Sequence, residues 1–177
     1  MAIRRTQDRP LLITFILFST GFGSLGLVLA CRALLQNMNL LLLVNRTVYS
    51  GVVLLSPGAY FFTYFLTDRQ YRYLFLWGIA SVATAVFSYF GLITGFDFTG
   101  EWFHYPFGSY PIAALPLKLW GAIASIGYVL GGIPVTIQYY RNHREEIAKK
   151  KYLFIGLHLC SLLVISNLPS LAGIPVF

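Results

Sequence analysis

Long apolar segments alternate with short polar connectors along the whole chain, and this alternation predicts the secondary structure. Each segment has at least the roughly 20 residues that an α-helix needs to cross a bilayer. The pattern therefore predicts an all-α integral membrane protein, a bundle of about five transmembrane helices without a soluble domain. The predicted spans of this single domain, residues 1–177, cover about 11–31, 42–66, 73–95, 112–140 and 152–175.

Composition agrees with that pattern. The chain is 57% hydrophobic and only 11% charged, whereas a soluble domain usually carries about a quarter charged residues. A chain this apolar would expose a large oily surface in water, so the lipid bilayer is its first predicted partner.

Positive charges are concentrated on one side of the predicted spans. Ten of the 13 Lys and Arg residues lie before the first span, between the second and third spans, or between the fourth and fifth. The positive-inside rule then places the N-terminus in the cytoplasm and the C-terminus outside, which agrees with five spans. This distribution explains the net charge of +7 without nucleic acid as a partner. The other three basic residues are Arg32, Arg46 and Lys118.

The first span also contains two patterns that imitate known signals. Val28–Cys31 resembles a lipoprotein cleavage site, but the apolar run exceeds the 7–15 residues of a signal peptide, which favours a retained helix. Gly21, Gly23 and Gly26 match G-x-G-x-x-G. That motif indicates dinucleotide binding only between a strand and a helix, so helix packing is the better interpretation here.

Small residues and prolines predict how the helices pack. Span three places Gly78, Ser81, Ala85 and Ser88 on one helical face, and span four contains Gly121-x-x-x-Ser125 and Gly127-x-x-x-Gly131. Small residues allow membrane helices to approach closely, either within one bundle or at the seam of a homo-oligomer or signalling partner. Pro57 and Pro134 predict kinks in spans two and four.

Ionisable side chains at membrane depth are costly, so they are candidate ligand-binding residues. Arg46 opens the second span and could bind an anionic ligand; the alternatives are structural pairing or an arginine that snorkels to the headgroups. His158 and Asn167 lie in the fifth predicted span. The alternative for His158 is a neutral ring whose hydrogen bonds are satisfied by a neighbouring helix.

The connector GEWFHYPFGSYP, Gly100 to Pro111, contributes further candidates. Glu101, Trp102 and His104 could form a lid over an outward-facing pocket. The alternative is a rim of aromatic side chains that anchor at the membrane interface. The glycines and prolines predict a turn-rich segment with a short hairpin. Glu101 and His104 lack a third ligand, so no metal site is predicted.

Catalytic chemistry is not predicted. The six carboxylates are Asp8, Asp68, Asp97, Glu101, Glu145 and Glu146. None lies well inside a span, no pair suits acid–base catalysis, and the chain contains no phosphate-binding loop or cofactor motif. We therefore predict no enzymatic activity, no catalytic residues and no cofactor.

Three segments together resemble one family. They are VNRTVYSGVVLLSPGAYFFTYFLTDRQ (Val44 to Gln70), YPFGSYP, and the terminal KKKYLFIGLHLCSLLVISNLPSLAGIPVF. They are similar to the N-terminal seven-transmembrane region of bacterial histidine kinases and related signalling proteins. The resemblance implies a sensory or signal-input module, multi-pass in the bacterial cytoplasmic (inner) membrane, that acts on a cytoplasmic output domain.

Relative to that family, we expect the chain to lack a first helix and a final helix that returns to the cytoplasm. We therefore expect a partial module, or a relative that signals through a partner. A small transporter or channel subunit is the alternative, and would need a polar track through the bundle. A structural membrane assembly partner is a third possibility, suggested by the small-residue faces.

Overall fold

The computed structural model of the protein describes residues 2–67, 69–105 and 108–142, most of which are helical. From the N-terminus, the elements are α1 (Ala2–Leu34), α2 (Met38–Val52), α3 (Leu55–Leu66), α4 (Arg72–Thr94), β1 (Phe98–Tyr105), β2 (Gly108–Ala113), α5 (Leu115–Gly127), a π-helical turn (Tyr128–Gly132) and α6 (Ile133–Asn142). The predicted helical character is thus confirmed, with one short hairpin added to it.

Among the described residues, four helical stretches are long and apolar enough to cross a membrane. They are Arg9–Leu34, Met38–Leu66, Arg72–Thr94 and Leu115–Tyr139. The predicted start of the fourth span at Ile112 is wrong, because Ile112 belongs to β2 and the helix begins at Leu115. Pro116 suits the first turn of α5, where a backbone N–H has no partner within the helix. The fifth predicted span, 152–175, lies outside the described residues.

The aromatic connector forms the predicted hairpin. Strands β1 and β2 pair antiparallel, with Trp102 opposite Pro111 and His104 opposite Ser109. The register is irregular between Phe98 and Trp102, and Gly100 lies there with φ of +86°. Glycine adopts this left-handed conformation without the steric cost that a side chain brings, so it accommodates the irregularity.

Helices α1 and α3 approach each other through glycines. A Cβ atom at Gly21 would lie 2.7 Å from the backbone N and Cα of Leu55. On the facing helix, a Cβ atom at Gly58 would lie 2.6 Å from the backbone N of Phe18. By contrast, Gly23 has no atom within 4 Å of its corresponding position, nor does Gly26. Of the G-x-G-x-x-G residues, only Gly21 is therefore required at this crossing.

Helix α4 contacts its neighbours through the predicted small-residue face. Gly78, Ser81, Ala85 and Ser88 are all buried. The Ser81 hydroxyl shares a hydrogen bond with the Ser56 hydroxyl of α3, and Ser88 Oγ donates to the Pro116 carbonyl at 2.9 Å. These hydroxyls join α4 to α3 on one side and to α5 on the other.

Near Pro57, where a kink was predicted, there is a break in the α-helix between α2 and α3. Helix α2 ends at Val52 and α3 begins at Leu55. Proline has no N–H to donate to the carbonyl four residues earlier, which here is that of Val53. The indole Nε1 of Trp120 donates to the Val53 carbonyl at 3.1 Å instead, so α5 stabilises the break.

Near Pro134 the departure from α-helical geometry takes the form of the π-helical turn. Just before this turn, the Tyr60 hydroxyl donates to the carbonyls of Ile123 at 2.7 Å and Ala124 at 3.2 Å. Tyr60 is fully buried, and its ring packs on that of Trp77. A buried tyrosine on α3 thus supplies a hydrogen-bond donor where the regular α-helix ends.

We expect the substitution Trp120→Phe to lower the free energy of unfolding by about 1 kcal/mol more than Trp77→Phe. Both changes shorten an indole to a phenyl ring, but only the first leaves the Val53 carbonyl without its donor. Unfolding of both variants in detergent measures the difference. Equal losses would show that the Trp120 hydrogen bond does not stabilise the break.

Candidate functional site

Polar side chains from several elements gather at the hairpin end of the bundle. We call this group the arginine cluster. Its members are Arg32 of α1, Asn45, Arg46 and Tyr49 of α2, Asp97 between α4 and β1, and Tyr110 of β2.

Arg46 pairs with Asp97. Its Nε lies 3.1 Å from both carboxylate oxygens, and its Nη2 lies 3.0 Å from Oδ1. The Asp97 side chain is completely buried, whereas that of Arg46 is 34% exposed. Charge-assisted contacts of this kind are stronger than neutral hydrogen bonds and offset part of the desolvation of the carboxylate.

The end of α4 brings Asp97 to Arg46. Gly95 follows the helix with φ of +84°, a left-handed conformation that commonly ends helices. Its carbonyl accepts a hydrogen bond from Arg46 Nη2 at 3.3 Å. A Cβ atom at Gly95 would make only ordinary van der Waals contact with the same Nη2, at 3.4 Å, so glycine is favoured here by the backbone conformation and not by lack of space.

Arg32 lies beside this ion pair but has neutral partners. It is 8% exposed, and its Nε donates to Asn45 Oδ1 at 3.0 Å. Its Nη2 lies 3.4 Å from the Tyr49 hydroxyl. Asn45 Nδ2 donates to the Leu41 carbonyl at 2.7 Å, which orients the amide oxygen towards Arg32.

Two tyrosine rings complete the surroundings of Arg32. The guanidinium carbon lies 5.6 Å from the Tyr49 ring centroid and 5.0 Å from that of Tyr110, within range of cation–π attraction. The Tyr49 ring also packs edge-on against Phe98 of β1 at 5.8 Å. Arg32 therefore connects α1 to α2 and to the hairpin.

The arginine cluster contains two guanidinium groups and one carboxylate. Among the side chains that the structure describes, Arg46–Asp97 is the only salt bridge. Both Asp97 oxygens face Arg46, so the charge of Arg32 is not balanced within the cluster. This excess positive charge favours anions at this end of the bundle.

The candidate ligand-binding residues predicted from sequence do not all lie together. Arg46 belongs to the arginine cluster, and its structural pairing has a defined partner in Asp97. Glu101 and His104 on β1 are exposed and Trp102 is half-buried. His104 Nδ1 lies 3.0 Å from Ser109 Oγ across the hairpin. Two further candidates, His158 and Asn167, lie outside the described residues.

Most of the arginine cluster escaped the sequence-based prediction, which noted Arg32 and Asp97 only as charges near span ends. One signal could have found them. In an alternating topology, the end of span one, the start of span two and the end of span three share a membrane face. Arg32, Arg46 and Asp97 occupy those three places, so the topology predicts that these charges lie at the same end of the bundle, although it does not predict which of them pair.

Comparisons of the chain with family models, curated proteins and solved structures return no match. The similarity to the seven-transmembrane region of histidine kinases therefore rests on the sequence motifs alone. In the described part of the chain, no three His, Cys, Asp or Glu side chains are placed to hold a metal ion.

Proposed function

We propose that this chain is a membrane-embedded sensory or signal-input module that receives its stimulus at the arginine cluster. The cluster supports this proposal because its side chains come from α1, α2 and the hairpin. A group bound there would contact several elements at once. Arg69 and Arg72, at the connector between α3 and α4, lie at the end of the bundle opposite the hairpin, and by the positive-inside rule this supports a position of the cluster outside the cytoplasm.

Helix α2 is the element best placed to transmit a change. Asn45, Arg46 and Tyr49 lie on it shortly before the break between Val52 and Leu55. A break of this kind can act as a hinge, at which one helical segment moves relative to the next. The Arg46–Asp97 pair connects α2 to the entrance of the hairpin, so movement of the hairpin would pull on α2.

A spin label at the opposite end of the bundle tests this transmission. Gln70 is exposed in the connector between α3 and α4, and can be replaced by a labelled cysteine after Cys31 and Cys160 are changed to serine. We expect Asp97→Asn to alter the mobility of this label, because the substitution weakens the connection between α2 and the hairpin.

The matched control is Lys118→Gln, which changes an exposed polar residue at the same end of the bundle. It should leave the Gln70 label unchanged. If Asp97→Asn also leaves the label unchanged in lipid nanodiscs, α2 does not transmit changes from the arginine cluster, and the proposed sensory mechanism is wrong.

One observation bears on the transporter alternative. Ser56, Tyr60 and Thr63 of α3 and Thr67 directly after it are buried at helical spacing, in the manner of a polar track. Several of their hydroxyls bond to neighbouring helices, however: Tyr60 donates to the Ile123 carbonyl of α5, and Ser56 shares a hydrogen bond with Ser81 of α4. Such bonds connect membrane helices, and this supports packing over transport. Ion or solute flux into proteoliposomes above that of protein-free liposomes would support transport.

A further inference from the structure

We infer that Arg32 binds a phosphate group at the hairpin end of the bundle. The inference names the chemical class of the ligand at the arginine cluster and rests on the proposed sensory function. It follows from the unused donors of Arg32, from the charge balance around it, and from its level relative to the membrane.

Arg32 has hydrogen-bonding capacity to spare. A guanidinium group carries five N–H donors, and the hydrogen bonds to Asn45 and Tyr49 use one on Nε and one on Nη2. The other three, including both on Nη1, have no acceptor in the described ranges. Nη1 is nevertheless accessible from the surface of the protein. If it were fully buried, it would be a buried polar atom without a partner, and Ser125 Oγ is the only such side-chain atom among the described residues.

The charge balance favours an anion at this position. A cation that is 8% exposed is costly to bury without a counter-charge. Asn45, Tyr49 and Tyr110 reduce this cost through hydrogen bonds and ring faces, but none of them supplies a carboxylate. Asp97 cannot replace them, because it is held by Arg46. A bound oxyanion would supply the missing negative charge.

The depth of the arginine cluster in the membrane favours phosphate over other oxyanions. Helix α4 has 23 residues and is therefore about 34 Å long, close to the roughly 30 Å of the hydrocarbon core. Gly95 and Asp97 follow its end and contact Arg46. Asn45 precedes Arg46 and binds Arg32, so Arg32 lies at the same depth as Arg46. The arginine cluster is therefore level with the end of α4, at the boundary between the hydrocarbon core and the headgroups.

A phosphate at this boundary can come from a lipid headgroup or from a soluble phosphate compound. The chemistry of recognition is the same in both cases, since the guanidinium fork matches two phosphate oxygens. A binding experiment with one probe of each kind distinguishes the two sources.

The test measures thermal unfolding of the full-length chain in a neutral detergent. One titration uses inorganic phosphate, a second uses short-chain phosphatidylglycerol, and sodium chloride at equal ionic strength is the reference. A ligand that binds the folded state raises its midpoint of unfolding in a concentration-dependent way. We expect at least one phosphate probe to raise the midpoint of the wild-type protein beyond the chloride reference.

Arg32→Gln should weaken this binding about 10- to 100-fold, because it removes a charge-assisted contact. Arg32→Lys keeps the charge but loses the fork, so it should fall between wild type and Arg32→Gln; it also serves if the glutamine variant does not fold. Lys118→Gln removes an exposed cation at the same end and should bind as wild type does.

A shift with the lipid alone assigns the site to a headgroup, and a shift with inorganic phosphate assigns it to a soluble compound. Wild-type protein that responds to neither probe would overturn the inference, as would Arg32 variants that bind as tightly as wild type. The spin-label experiment at Gln70 uses no phosphate, so the sensory proposal can stand if phosphate binding fails.

Discussion

Replacing Arg46 with glutamine should lower the free energy of unfolding by about 3–5 kcal/mol. The Asp97 side chain is completely buried, and this substitution leaves its carboxylate without a counter-charge. Asp97→Asn should cost less, about 1–2 kcal/mol. In that variant the remaining charge belongs to Arg46, which is 34% exposed and can extend its guanidinium group towards water or headgroups.

Unfolding of the wild type, both single variants and the double variant in detergent measures these effects. The double variant should be more stable than Arg46→Gln alone, since it buries neither charge and restores a neutral pair. Lys118→Gln, at an exposed position, controls for loss of a positive charge as such. A larger loss for Asp97→Asn than for Arg46→Gln would contradict the assignment of Asp97 as the buried partner.

The substitution Gly21→Val should lower the free energy of unfolding by about 3 kcal/mol. The new Cβ would lie 2.7 Å from the backbone N and Cα of Leu55. Backbone atoms cannot rotate away as a flexible side chain can, so α1 and α3 must separate. The other contacts of this crossing, including that between Gly58 and Phe18, would then be lost as well.

Gly23→Val on the same helix is the matched control, because nothing lies within 4 Å of its Cβ position. Both variants undergo the same change in helix propensity, from glycine to valine, so the difference between them isolates the crossing. Unfolding in detergent and the yield of folded protein from membranes measure it. Equal stability of the two variants would mean that α1 and α3 do not cross as described.

The helical spans could be predicted because a bilayer requires long apolar segments whose backbone groups bond internally. The faces of those helices followed from spacing alone, as the burial of Gly78, Ser81 and Ser88 shows. The break near Pro57 followed from the missing N–H of proline. The hairpin followed from glycine and proline positions, although its second strand displaced the predicted start of the fourth span.

The cluster partners could not be predicted with the same rules. Arg46 and Asp97 are 51 residues apart, and Arg32 and Asn45 are 13 apart. Whether such residues meet depends on the rotation of each helix about its axis, which packing determines. It also depends on the left-handed turn at Gly95 that directs Asp97 back to α2.

The sequence by itself thus determined the helical spans, the small-residue faces and the places where helices break, because each depends on residues close together in the chain. Only the tertiary structure decided which charges pair. Arg46 has a buried carboxylate beside it and Arg32 has neutral partners, although both are arginines near the same end of the bundle. That difference comes from the way α1, α2 and the segment after α4 pack against one another. Packing determines which partner comes within hydrogen-bonding distance of each arginine.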